Sequence, residues 1–114
     1  YIMLKSCNFF SRFMMITIDV LVLLDVVGLE DRDKFEKHVK KEGFIKVPNE
    51  DFVYTGNSTT TTFSTKAYIL EVFKKGLQKS GFESASLVFL LNETPYPPYI
   101  YDKNTNDFEL SEVK

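Results

Sequence analysis

Two lysine-rich stretches of this chain each run into Gly-Phe and then into strand-forming residues, as in "KKEGFIKV" and "QKSGFESASLVF". Each stretch is the end of an amphipathic helical pattern, and glycine often ends a helix because it accepts a positive φ. A strand-like stretch precedes each helical pattern. The sequence therefore predicts the same unit twice: strand, helix, Gly-Phe, strand.

The first predicted strand covers residues 16–27, and its side chains alternate unequally between two faces. One face is wholly apolar, whereas the other mixes leucines with Asp19 and Asp25. This pattern is typical of a central strand that helices cover on one side and that is only partly covered on the other.

The remaining elements continue this order. The first helix begins with acidic residues and ends with lysines before Gly43, which suits the helix dipole. The second helix covers roughly residues 65–80, with Ser64 as its N-cap. We therefore predict an α+β fold of ferredoxin-like βαββαβ order. It has a four-stranded antiparallel sheet with two helices on one face, plus an extended C-terminal tail or edge strand.

Three segments follow from this interpretation. Residues 1–13 are an appendage or upstream extension, residues 14–92 form the ferredoxin-like domain, and residues 93–114 are a Pro/Tyr-rich segment that can add a strand. In the last segment, "YIYD" and "DFEL" flank the turn-like "KNTN", which indicates a hairpin or an edge strand. The pattern indicates no core residues there.

Composition excludes several classes of protein. The 114 residues carry a formal net charge of −2, so the chain lacks the overall basic character of many nucleic-acid-binding proteins. A single cysteine, Cys7, rules out an intrachain disulfide and favours a reducing, cytoplasmic location. The longest apolar run is too short to span a bilayer, so no membrane partner is expected.

Asp25, at the end of the first strand, is the candidate catalytic and metal-binding residue. One interpretation is a carboxylate that accepts backbone N–H groups from the following loop. The other is a ligand of Mg²⁺, with a two-fold dimer through the open sheet face bringing two copies of Asp25 around one ion. For Asp19, a dimer contact or a satisfied pair is the better interpretation.

Basic residues on both predicted helices are candidates for binding a nucleic acid such as RNA, although such runs are more often solvated faces with i,i+4 ion pairs, for example Glu36 with Lys40. His38 is either a partly buried helix residue or a general base. The hydroxyl-rich "NSTTTTFST" precedes a helix and indicates either a capped edge strand or a phosphate site. The basic candidates are Arg32, Lys37, Lys40, Lys41, Lys74 and Lys75.

The order of elements and the strand end "LVLLDVV" resemble the CRISPR-associated ferredoxin-like nuclease family (the second Cas protein), together with VapD-type toxins and GhoS-type antitoxins. The resemblance implies that Asp25 is linked to a metal at a dimer axis and that the protein cleaves RNA or DNA. The third strand, "FVYTGNST", departs from the pattern usual in the CRISPR-associated family.

Two hypotheses of function remain open. The first is a small metal-dependent endoribonuclease of a toxin–antitoxin or CRISPR-related type, which uses Mg²⁺. The alternative is a non-catalytic, dimeric ferredoxin-like module that binds a protein or a small ligand. Both include a homodimer, because Leu21, Leu23, Val88 and Leu90 would leave an apolar sheet face uncovered in a monomer.

Overall fold

A computed structural model of the chain describes residues 17–111. The predicted appendage, residues 1–13, and Cys7 within it lie outside these described residues. Across residues 17–111 there is no helix with the length and apolar character needed to cross a membrane.

The described residues form two helices and seven strands. The helices are α1 (Arg32–Lys41) and α2 (Thr62–Ser80). The strands are β1 (Ile18–Val27), β2 (Ile45–Lys46), β3 (Val53–Ser58), β4 (Ser84–Leu91), β5 (Thr94–Pro95), β6 (Tyr99–Asp102) and β7 (Asp107–Leu110).

All strands join one antiparallel sheet in the order β2-β3-β1-β4-β6-β7, with β5 paired to β4. β1 lies between β3 and β4, so that Leu23 is opposite Val53 on one side and Val88 on the other. The α+β class with two helices and an antiparallel sheet is therefore confirmed. The sheet has seven strands rather than four, since the segment after β4 adds three short ones.

The core lies between one face of the sheet and the two helices. Val22 and Leu87 contribute fully buried side chains from the central strands, and Phe35 and Phe73 contribute them from the helices. The ring of Phe73 lies 5.5 Å from that of Tyr54 and 6.0 Å from that of Phe35, measured between centroids. Burial of these large side chains is the main stabilising contribution to the fold.

The Gly-Phe joints lie where the sequence predicts them. Gly43 and Gly81 follow the two helices with φ of 103° and 83°, a conformation that favours glycine. Phe44, directly after the first glycine, is buried in the core. The predicted N-cap of α2 is wrong by one turn, because Thr61, not Ser64, caps this helix and accepts a hydrogen bond from the Ser64 N–H.

The C-terminal segment forms a hairpin of β6 and β7 at the edge of the sheet. Two of its side chains, Tyr101 and Phe108, are buried and belong to the core. The sequence-based expectation of no core residues in this segment is therefore wrong. The reason is tertiary: Tyr101 packs edge-on against Phe82, with 4.8 Å between ring centroids, and its hydroxyl accepts a hydrogen bond from Gln78.

Candidate functional site

The sheet face opposite the helices is open. Its centre consists of apolar side chains from four adjacent strands, of which Leu23 is 39% and Ile100 is 49% exposed. The cross-strand register places Leu21 beside Leu90 and Leu23 beside both Val53 and Val88. Isolated exposed apolar residues are normal, but these residues are contiguous, and such a patch indicates an interaction surface.

Asp25 lies on this open face and is exposed, as the strand alternation predicts. Its cross-strand neighbour is Ser86, which is itself opposite Ile100. Within residues 17–111, no hydrogen bond to the Asp25 carboxylate is present, and no group of three His, Cys, Asp or Glu residues is placed to hold a metal. A single chain therefore offers one carboxylate at this position, which is fewer oxygen ligands than a cation site built from protein alone requires.

Asp19 lies on the same face at the other end of β1. Its carboxylate accepts a hydrogen bond of 2.9 Å from the side-chain amide of Asn57, the residue opposite it on β3. The backbone N–H of Asp19 donates to the side-chain oxygen of Asn92, also at 2.9 Å. These bonds satisfy Asp19 locally and tie the end of β1 to its neighbours.

The candidate basic residues lie on the helices, which cover the opposite face of the sheet from Asp25. Arg32 pairs with Asp51 at 2.8 Å and with Glu36 at 3.3 Å, whereas the sequence indicated a pair of Glu36 with Lys40. Glu71 pairs with both Lys74 and Lys75, at 3.3 Å each, and Lys74 also lies 3.6 Å from Asp107. Exposed ion pairs of this kind contribute little to stability.

The three candidate lysines of α1 are exposed and make no ion pair within residues 17–111. They are Lys37, Lys40 and Lys41. The structure therefore separates the candidate residues into two sets: Asp25 on the open face, and the lysines on the far side of the sheet. One chain does not bring the proposed metal ligand and the proposed nucleic-acid contacts together.

His38 is nearly buried between the helices, at 9% exposure. Its Nε2 lies 3.1 Å from the carbonyl oxygen of Val72, and its Nδ1 lies 3.2 Å from the ammonium of Lys79. A carbonyl only accepts and an ammonium only donates, so the neutral ring carries its proton on Nε2. Burial, and then the charge of Lys79, hold the pKa of His38 below its usual value of 6.5.

We expect this histidine to destabilise the protein in acid. Because its folded-state pKa lies below the unfolded value of 6.5, the unfolded chain binds the proton first, and the free energy of unfolding falls as pH drops below 6.5. Urea unfolding at a series of pH values measures this loss. The variant His38→Gln keeps a donor for Val72 and does not titrate, so its unfolding free energy should vary less with pH in that window. An equal dependence in both proteins would contradict the assignment.

Comparison of the chain with models of known protein families, with curated proteins and with solved structures found no match.

The structure also brings together one pair of polar residues that the sequence does not indicate. Glu42 and Tyr68 lie 26 positions apart, yet the Tyr68 hydroxyl donates to the Glu42 side chain at 3.0 Å. This contact forms beside a pocket, at the point where the end of α1 meets the start of α2. The one sequence feature that points to this pocket is the hydroxyl-rich stretch before α2, because several of its residues line the pocket.

Proposed function

We propose that the protein is a non-catalytic, homodimeric module of the ferredoxin-like type that binds a protein or a small ligand. Its two copies meet through the open sheet face. The first six elements support the ferredoxin-like assignment. They follow the order βαββαβ along the chain, and their four strands lie side by side in the order β2-β3-β1-β4.

The distribution of side chains on β1 supports a second copy as the occupant of the open face. Leu21 and Leu23 lie at the centre of the strand, between Asp19 and Asp25 near its ends. A two-fold pairing places the same patch of both copies in contact, so that apolar centre meets apolar centre and the acids lie toward the rim. This arrangement is the observation on which the proposal depends most.

The surroundings of Asp25 support a non-catalytic role. In the described part of the chain its carboxylate belongs to no group of three or more His, Cys, Asp or Glu residues that could hold a metal. The exposed lysines that would contact an RNA lie across the sheet. A cytoplasmic location and RNA as a partner of these lysines stay predictions.

A Mg²⁺-dependent endoribonuclease is the second candidate, and one observation favours it. Asp25 lies on the proposed dimer face, where a two-fold axis can bring two carboxylates toward one another. Mg²⁺ in nucleotide-processing enzymes is commonly held by one or two carboxylates together with phosphate oxygens of the substrate. The residues that would hold the ion are then the two copies of Asp25, with the ion polarising the scissile phosphate.

We expect no cleavage of labelled single-stranded RNA in the presence of Mg²⁺ by the wild-type protein or by Asp25→Asn. Asp19→Asn is the matched control, since it removes a charge from the same strand and the same face. Cleavage by the wild type and by Asp19→Asn that is lost in Asp25→Asn would contradict the non-catalytic proposal. It would establish the second candidate instead.

A further inference from the structure

A pocket of about 190 Å³ lies on the helix side of the sheet, away from the proposed dimer face. It is formed where β3, the start of α2 and the joint between α1 and β2 meet. Its lining includes Glu42, Phe44, Gly56, Ser58, Thr65 and Tyr68. Small-molecule sites are commonly concave and mostly apolar, with a few placed polar groups.

Gly56 is one of the residues that line the pocket. It lies within β3 without a positive φ, so the backbone conformation there does not demand glycine. A Cβ at this position would lie 3.4 Å from the carbonyl oxygen of Gly43 and 3.7 Å from a ring carbon of Phe44. The absent side chain therefore leaves room directly beside an aromatic wall of the pocket.

That wall is flat. The rings of Phe44 and Tyr68 lie nearly parallel, with 6.1 Å between centroids and 18° between planes. Phe44 is buried and fixed by its contact with Phe73, whose centroid is 5.1 Å away. Aromatic faces bind planar apolar groups and attract cations through the negative potential of the ring face.

Among the described residues that line the pocket, Glu42 is the one with a charged side chain. Its carboxylate therefore gives the pocket a negative charge. Glu42 is also the C-cap of α1, where the helix dipole favours a cation. The Tyr68 hydroxyl donates to the backbone carbonyl of Glu42 at 2.8 Å and to its Oε1 at 3.0 Å. Burial, followed by the contact with Glu42, raises the pKa of Tyr68 to about 12, so this hydroxyl stays a donor at neutral pH.

Several polar groups on the other side of the pocket form hydrogen bonds with one another or with the nearby backbone. The hydroxyl oxygens of Ser58 and Thr65 lie 2.6 Å apart, and Thr65 also donates to the backbone carbonyl of Thr61. The Ser64 N–H at the start of α2 donates to the Thr61 hydroxyl. An anion would find these N–H and O–H donors already used, whereas Oε2 of Glu42 makes no hydrogen bond within residues 17–111.

We propose that this pocket binds a small primary amine carried on a planar apolar body, with the ammonium at the Glu42 carboxylate and the planar group against Phe44 and Tyr68. The proposal rests on the assignment of the protein as a binding module and supplies the ligand class for it. The dimer face lies on the other side of the sheet, so ligand binding and dimerisation can be measured separately.

The test uses 2-phenylethylamine as the probe and 2-phenylethanol as its neutral counterpart, titrated into the full chain by isothermal calorimetry. We expect the amine to bind at least about tenfold more tightly than the alcohol, since the ammonium gains a charge-assisted hydrogen bond. The variant Glu42→Gln should lose this preference, whereas Glu50→Gln, an exposed carboxylate outside the pocket, should keep it.

A second variant tests the location without changing charge. Gly56→Val fills the space beside Phe44 and should weaken binding of both probes. Equal binding of amine and alcohol, an unchanged preference in Glu42→Gln, or no binding of either probe would each overturn the proposal. Sedimentation of the same samples reports the dimer independently: a dimer that binds no amine refutes only this inference, and a monomer that binds it refutes only the dimer.

Discussion

Replacing Phe73 by alanine is expected to lower the free energy of unfolding by about 3–5 kcal/mol, the range for loss of a large aromatic side chain from a packed core. Phe73 is fully buried and its ring contacts those of Phe35, Phe44 and Tyr54. These rings come from α1, from the joint that follows it and from β3. The substitution therefore leaves a cavity at the point where both helices meet the sheet.

Urea unfolding followed by far-ultraviolet circular dichroism measures this effect. Phe63→Ala is the matched control, because Phe63 lies in the same helix but is 80% exposed. It should change the unfolding free energy by less than about 0.5 kcal/mol. A similar loss in both variants would contradict the packing of Phe73 between the helices and the sheet.

Replacing Leu23 by arginine is expected to abolish the proposed dimer while leaving each chain folded. Leu23 is at the centre of the open face, between Val53 and Val88. In the dimer the arginine would place an uncompensated charge in an apolar interface, which should raise the dissociation constant by roughly a hundredfold or more. In the separate chain its side chain reaches solvent, since Leu23 is already 39% exposed there.

Analytical ultracentrifugation of Leu23→Arg measures the change, with circular dichroism to confirm the fold. Phe63→Arg is the control, because it introduces the same charge at an exposed apolar position on the helix side. A dimer in Phe63→Arg and a monomer in Leu23→Arg are the expected pair of results. Dimers of both variants would show that the open face is not the interface.

Much of the central sheet could be predicted from the sequence, because its signals are local. The alternation along β1 shows which side chains face the helices and places Asp25 on the other face. The two Gly-Phe joints follow from the conformational freedom of glycine. The edge of the sheet could not be predicted in the same way. Tyr101 and Phe108 become core residues only through contacts with distant elements.

The candidate sites also differ in how far the sequence predicts them: the open face is predictable, whereas the pocket is not. The apolar residues of the open face follow from the alternation of β1 and β4, since strands of known pattern can be laid side by side. The pocket depends on where the end of α1 meets the start of α2, which brings Glu42 to Tyr68. No periodicity in the sequence indicates that contact. Gly56 pairs in register with Val20 and lines the same pocket.

The open sheet face as a dimer interface is the central claim, and the mass of the wild-type protein in solution tests it most directly. Sedimentation equilibrium over a dilution series should give a mass twice that of the 13.2 kDa chain at micromolar concentration, with dissociation on dilution. A mass of 13.2 kDa at every concentration would contradict the claim, and the apolar face would then have no second copy to cover it.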